Sequence, residues 1–310
     1  MILIVVKDVS NVIEYDAAQQ TMRCYSTYHK YRLEVLNLSA NRTLKGICPH
    51  RDFMFARHCV VAQRLLEGAA EWILFIDADM AVINPNRLIE EWIDDDVNII
   101  LYDRIFNHEI AAGSYLVKNT NYSIDFLHSW AAYDSNLHIP LYGSDNAALQ
   151  IVLMENLTPN ENRERQKCFR IWEESKDDHD LYVFEACIRS KIGDQHKWMN
   201  RVSILRKGTS WAVAHDPTLL GVDIKLAQTE RATSCHFSKL DRVAFGSWPS
   251  PLTSHQFNLS ICSTENAGLN WQYKDTFVRT NNFINSLFRR IIHDAHLRYL
   301  RNLAEVDAYL

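Results

Sequence analysis

A chain of 310 residues exceeds the roughly 100–200 of a usual single domain, so one large domain or two packed ones is expected. Hydrophobic residues at 47%, charged residues at 23%, and only 9 Gly and 7 Pro exclude a disordered, linker-rich or collagen-like chain. Thirty-three Lys plus Arg against 38 Asp plus Glu leave a net charge of −5, so there is no basic field for nucleic acid, and an anionic phosphate would bind only at a local site.

In chain order, Ile2–Val6 is too short for a signal peptide or a membrane span and reads as a buried first strand. No targeting segment is therefore expected in the chain as written. Val12–Lys30 reads as a helix and Arg32–Leu38 as a strand. Phe53–Glu67 has the spacing of an amphipathic helix and is closed by Gly68. Trp72–Ile76 is a continuous apolar run of strand length with charge on both sides, the pattern of a central parallel strand. Pro85 ends the extended segment, Asn86–Ile93 reads as a short helix, Val97–Tyr102 and Ala111–Lys118 as strands, and Ser123–Tyr133 as a helix. Residues 158–180 are densely charged and read as a surface excursion. Phe283–Leu303 is apolar at 283, 284, 287, 288, 291, 292 and 295, which predicts a terminal amphipathic helix, with packing favoured over membrane-surface association. Strand-like and helix-like patterns alternate, so an α/β layered fold is expected.

Seven cysteines without a CxxC pair argue against a zinc module. Up to three disulfides in an oxidising compartment and buried thiols in a reducing one are equally compatible with that count.

The chemistry is concentrated where Trp72–Ile76 runs into Asp77-Ala-Asp79 and then Asn84-Pro85. Two carboxylates stand at the carboxyl edge of a sheet, where open α/β sheets bind ligands. In extended geometry side chains two residues apart project to the same side, so the pair is suited to one hard divalent cation. A capped, solvated strand end is the plainer alternative. Gly113 allows close backbone approach and Ser114 offers a hydroxyl, although a glycine before a strand explains the same residues. Gly143-Ser-Asp145-Asn146 opens a helix at Ala147–Leu153, as a ligand-facing helix start or simply as a cap. Arg57 fits either a phosphate contact or a solvated helix face.

The strings RDFMFARHCVVAQ at 51–63, WILFIDADMAVINP at 72–85, EIAAGSYLVKNT at 109–120 and YGSDNAALQ at 142–150 resemble the nematode-rich DxD family DUF273. That family is in turn similar to the galactosyltransferase GMA12/MNN10 group of GT-A glycosyltransferases. The resemblance implies an α/β, GT-A-like (nucleotide-diphospho-sugar transferase) Rossmann-like sheet flanked by helices over 1–210, with 211–310 as a C-terminal extension. It implies a nucleotide-sugar donor, Mn2+ or another divalent cation, and transfer of the sugar to a hydroxyl of a glycan or glycoconjugate acceptor. Asp77 and Asp79 would hold the metal, with Asp79 the more direct ligand. Asp77, Gly113, Ser114, Arg57 and Lys239 would meet the donor, and Asp145 and Asn146 would serve the sugar or the catalysis.

The last third departs from the pattern. Relatives follow Gly-Thr-Ser-Trp-Ala with an Arg-Asp pair and carry a late His-Gly-x-Lys. Here the text is Gly208-Thr-Ser-Trp211-Ala-Val-Ala-His215-Asp216, and His236-Phe-Ser-Lys239 keeps only the spacing. His236 is the expected third ligand, with a lone, unrelated histidine as the alternative. Without it, an inactive nucleotide-sugar- or carbohydrate-binding pseudoenzyme becomes the competing reading. A phosphatase using Asp77 as nucleophile is the other. Retention of configuration follows from the distant relatives only. Sequons at Asn37, Asn41, Asn121, Asn156 and Asn258 lean toward the Golgi or endoplasmic-reticulum lumen, with membrane association only through an anchor absent from this chain.

Overall fold

A computed structural model describes residues 1–8, 10, 15–136, 144–160, 162–211, 237–239, 252–254, 256–275 and 280–309. The strands are β1 (Ile2–Val6), β2 (Leu33–Asn37), β3 (Trp72–Ile76), β4 (Met80–Val82), β5 (Ile99–Tyr102), β6 (Ser114–Lys118), β7 (Val202–Leu205) and β8 (Phe237–Lys239). The helices are α1 (Asp16–Tyr28), α2 (Arg42–Ile47), α3 (Phe53–Leu66), α4 (Asn121–Ala132), α5 (Ser144–Leu157), α6 (Asn162–Glu174), α7 (Asp178–Ile192) and α8 (Asn281–Glu305).

Six strands form one mixed sheet in the order β2-β1-β3-β6-β5-β7, and β4 pairs separately with β8. β1 lies parallel to β2 and β3, while β6 runs antiparallel to both β3 and β5. Helices cover both faces, which is why β1 and β3 are apolar at every position rather than at alternate ones. The two-residue period survives as a choice of face. Leu3, Val5, Ile73 and Phe75 pack into the core beneath α3 to α7, whereas Ile2, Ile4, Val6, Leu74 and Ile76 pack into the core with α1.

The strands and helices that the periodicity predicts are present, with the local differences that follow. α2, most of α7, β7 and β8 answer to no predicted element, and β3, expected as a parallel strand, is parallel to β1 but antiparallel to β6. Only a 3-10 turn forms at Ile89–Trp92 within the expected helix 86–93. Of the helix expected from Val12, the described part begins at Asp16. The charged stretch 158–180, expected as a surface excursion, holds α6 and the first turn of α7 and packs on the main core. Its charges occupy one side of each helix, while Cys168, Ile171, Trp172, Val183, Phe184 and Cys187 are buried against the main core.

Three disulfides are formed among the described residues, Cys24–Cys262, Cys48–Cys59 and Cys168–Cys187. They fit a secreted or lumenal chain. Cys235 lies outside the described residues. No described helix is long and apolar enough to cross a membrane. α8 packs on α7 and through Ile284 and Ile291 on Ile105.

Candidate functional site

At the carboxyl end of β3 the chain leaves the sheet in a turn, closed by the Met80 amide donating to the Asp77 carbonyl at 3.1 Å. Asp77 and Asp79 are thus not in the extended geometry that the two-residue spacing implied. The turn nevertheless brings both to one cleft of about 250 Å³, lined also by Lys7, Tyr15, Phe53 and Arg57. An adjoining cleft of about 340 Å³ shares Lys7 and Phe53 and continues toward Lys45, His50 and Arg51. The first opens at the carboxyl ends of β1 and β3 and the second beside the carboxyl ends of β1 and β2, where ligand crevices of α/β sheets lie.

Asp77 has the face parity of Ile73 and Phe75 and so meets α3. There the Arg57 guanidinium donates through Nη1 to Asp77 Oδ1 and through Nη2 to Asp145 Oδ2, the latter at 2.8 Å. Arg57 is not a solvated helix residue: its side chain is 5% exposed, engaged by two carboxylates and on the lining of the cleft. Its guanidinium carbon stands 5.5 Å from the Phe75 ring centroid and 5.8 Å from that of Phe53. Burial alone would ease its proton off, but Asp77 and Asp145 hold the cation firmly charged.

Behind this pair lies a buried relay that sequence reasoning missed. Tyr115 donates its hydroxyl proton to His58 Nδ1 at 3.0 Å, and His58 Nε2–H donates to Asp145 Oδ2 at 3.3 Å, the tautomer that satisfies both partners. Burial pushes the His58 imidazole down, against the pull of Asp145, so it stays neutral. Burial would raise the Asp145 carboxyl, but the His58 hydrogen bond and the Arg57 charge hold it well below the usual carboxylate range. Burial also raises the Tyr115 phenol well above its ordinary value. Trp130 stacks on His58 with ring centroids 3.5 Å apart and donates its indole N–H to the Asp145 carbonyl at 2.8 Å. The signal in the sequence was a pair of polar residues, Arg57 and His58, inside the apolar face of a buried amphipathic helix.

Gly113 lies directly against Asp77, which leaves no room for a side chain at that position. A Cβ there would lie 2.6 Å from Asp77 Oδ2, and the Gly113 carbonyl accepts the Asp77 amide at 2.9 Å. Ser114 is fully buried beneath the cleft. Its hydroxyl donates to the Phe75 carbonyl at 2.9 Å and accepts from the Trp211 indole at 3.0 Å. Asn146 ties α5 to the Gly113 strand, accepting the Ala112 amide on Oδ1 at 2.9 Å. Structure therefore unites Asp77, Asp79, Arg57, Gly113, Asp145 and Asn146, and leaves Ser114 below them.

His215, His236 and Gly143 lie outside the described residues. The backbone of Lys239 is described, in register with Met80 next to Asp79, but its side chain is not. Among the described residues no cluster of three or more His, Cys, Asp or Glu is arranged to hold a metal ion. Asp77 and Asp79 are two hard oxygen donors at one cleft. That set suits a divalent cation completed by ligand phosphate oxygens and water rather than an all-protein cage.

No curated protein matches the chain. Among solved structures it is similar to a glycosyltransferase involved in the glycosylation of the major capsid of PBCV-1, at 16% identity over 52% of this chain and 77% of that one, with a TM-score of 0.38. It is also similar to the apo-form glycosyltransferase GlyE of Streptococcus pneumoniae TIGR4, at 12% identity over 49% of this chain and 42% of that one, with a TM-score of 0.35. The model of one family, described as "Protein of unknown function, DUF273", matches residues 22–220, and the chain belongs to that family.

Proposed function

We propose that the chain is a metal-dependent glycosyltransferase of GT-A type that moves a sugar from a nucleotide-diphosphate donor to an acceptor hydroxyl. The observation that carries this reading is the convergence of Asp77 and Asp79 with Lys7 and Arg57 on one cleft at the carboxyl edge of the sheet. The surrounding strings belong to DUF273, and the similarity of that family to the GMA12/MNN10 group supports the same reaction class.

Asp79 and Asp77 would hold Mn2+ or a similar cation, which supplies neutralisation of the charge developing on the leaving diphosphate. Lys7, on the same cleft, offers a further cation to a phosphate oxygen. Arg57 balances Asp77 and Asp145, so the site is not a bare pair of repelling carboxylates. His58 stays neutral and locks Asp145, and Asn146 anchors the start of α5 beside Gly113. These are positioning roles, since Asp145 is 1% exposed. With Asp77 held by Arg57 on one oxygen and against Gly113 on the other, it is poorly placed as the nucleophile of a phosphatase.

One observation favours a second reading, a pseudoenzyme that holds a nucleotide sugar without turnover. Asp77 is already engaged by a buried cation, Arg57. We place the protein in an oxidising lumen, Golgi or endoplasmic reticulum, on the strength of its three disulfides.

The test is release of free nucleotide from UDP- and GDP-sugars with Mn2+, with and without glycan acceptors, with Asp79→Asn as control. Release from one donor class that disappears in Asp79→Asn supports the transferase. Binding without release supports the pseudoenzyme, and phosphate release with an acyl-phosphate at Asp77 overturns both.

A further inference from the structure

The turn that carries Asp77 and Asp79 is held by side chains reaching its backbone from two distant parts of the chain. From α1, Gln19 Nε2 donates to the Ala78 carbonyl at 2.7 Å, and Thr21 Oγ1 accepts the Val82 amide at 2.8 Å. Both residues are fully buried. The Thr21 hydroxyl proton goes to the Ala18 carbonyl at 2.7 Å, which aims its lone pairs at Val82. From the segment formed by residues 252–254 and 256–275, Trp271 Nε1 donates to the Val82 carbonyl at 2.8 Å and the Tyr273 hydroxyl donates to the Ile83 carbonyl at 2.5 Å.

That segment is a strap closed on itself. Leu252 bridges Tyr273, and the Thr253 amide donates to the Gln272 carbonyl at 2.8 Å. It is fixed to α1 by the Cys24–Cys262 disulfide and by the Phe257 amide donating to Gln20 Oε1 at 2.7 Å. Phe257 and Trp271 pack edge to face with centroids 4.9 Å apart. Gln19, Thr21, Trp271 and Tyr273 lie outside the family-matched residues 22–220, whereas Cys24 lies within them.

We propose that Gln19, Thr21, Trp271 and Tyr273 are positioning residues for the Asp77–Asp79 turn, made into one unit by the Cys24–Cys262 disulfide. The four bonds fix the carbonyls of 78, 82 and 83 and the amide of 82, so the turn cannot swing its carboxylates away from the cleft. α1 and the strap meet the turn separately. The disulfide joins them covalently, so the strap and α1 hold the turn as one body, and each bond to the turn adds to its protection. The mechanical statement stands by itself. Its consequence for cation binding rests on the glycosyltransferase reading.

The experiment is amide hydrogen exchange on the full chain without ligand, comparing wild type with C24S/C262S, C168S/C187S and Trp271→Phe. The second disulfide joins α6 to α7 and serves as a control for loss of a crosslink that touches no part of the turn. Exchange across 78–83 should rise roughly tenfold in C24S/C262S and remain at the wild-type level in C168S/C187S, which should loosen only 162–192. Trp271→Phe keeps an aromatic ring, loses the N–H donor, and should raise exchange at 78–83 with less effect elsewhere. If C24S/C262S does not fold, native wild type is reduced with dithiothreitol and followed in the same way. Unchanged protection of 78–83 in both the disulfide-free chain and Trp271→Phe overturns the brace. A second arm measures Mn2+ with UDP or GDP by calorimetry. Failure of wild type to bind counts against the glycosyltransferase reading alone, because the exchange arm decides the brace without ligand.

Discussion

Arg57 and Asp145 lie 88 residues apart in sequence and 2.8 Å apart in the fold, and the same guanidinium reaches Asp77. One cation thereby joins Asp77, just past the end of β3, to Asp145 in the first turn of α5.

Removing that cation strands two carboxylates in a nearly dry site. Arg57→Met keeps most of the side-chain volume and should cost about 3–5 kcal/mol of unfolding free energy, the usual penalty for breaking a buried ion pair on one side. Urea denaturation at neutral pH measures it. A loss below about 1 kcal/mol would mean that water reaches Asp77 and Asp145 and that the pair is a surface one.

Gly113→Ala tests the packing of Asp77. The added Cβ would stand 2.6 Å from Asp77 Oδ2, so the carboxylate must move, at about 1–3 kcal/mol of stability. The functional sign is sharper: the displaced carboxylate should weaken Mn2+-dependent nucleotide binding at least tenfold, read by calorimetry. Wild-type affinity in Gly113→Ala would remove Asp77 from the binding site.

Two buried groups predict opposite limbs of the pH–stability profile. Burial pushes the His108 imidazole down to about 4. An unfolded histidine titrates near 6.5, so between these values the unfolded chain binds more protons. Stability should therefore rise by roughly 3 kcal/mol as pH goes from 4 to 6.5, with His58 adding in the same direction. Glu185 acts the other way. It is fully buried, neither carboxyl oxygen has a hydrogen-bond partner among the described residues, and burial followed by the charge of Glu109 raises it well above the usual range. The folded chain keeps a proton there that the unfolded chain releases, so stability falls as pH rises above the ordinary glutamate value. Glu185→Gln should then stabilise by about 1–3 kcal/mol at pH 7.5 and by much less near pH 4.5. Urea titrations at the two pH values decide it, and destabilisation at pH 7.5 would contradict the assignment.

The sheet was legible because β1 and β3 are buried on both faces and so carry unbroken apolar runs. The carboxylate pair was legible because it terminates such a run. The turn geometry at Asp77–Met80 was not, since the two-residue spacing reads the same in a strand and in a turn. Nor was the Arg57–Asp145 pairing, because nothing local at either residue names a partner 88 positions away. Charge density hid α6, whose buried side is only a few residues wide. The brace on β4 escaped for a further reason. Gln19, Trp271 and Tyr273 act on backbone carbonyls, which leave no complementary side chain in the sequence to be noticed.

On the proposed function, Asp79 with Asp77 holds a divalent cation for a nucleotide diphosphate. The most direct test is thermal unfolding of wild type and Asp79→Ala with Mn2+ and a panel of UDP and GDP compounds. A ligand at 100 times its dissociation constant adds about 2.7 kcal/mol to the folded state. The account predicts a raised Tm with one nucleotide class, only when Mn2+ is present, and no rise in Asp79→Ala. Equal stabilisation of the two proteins, or none with any nucleotide, would contradict it.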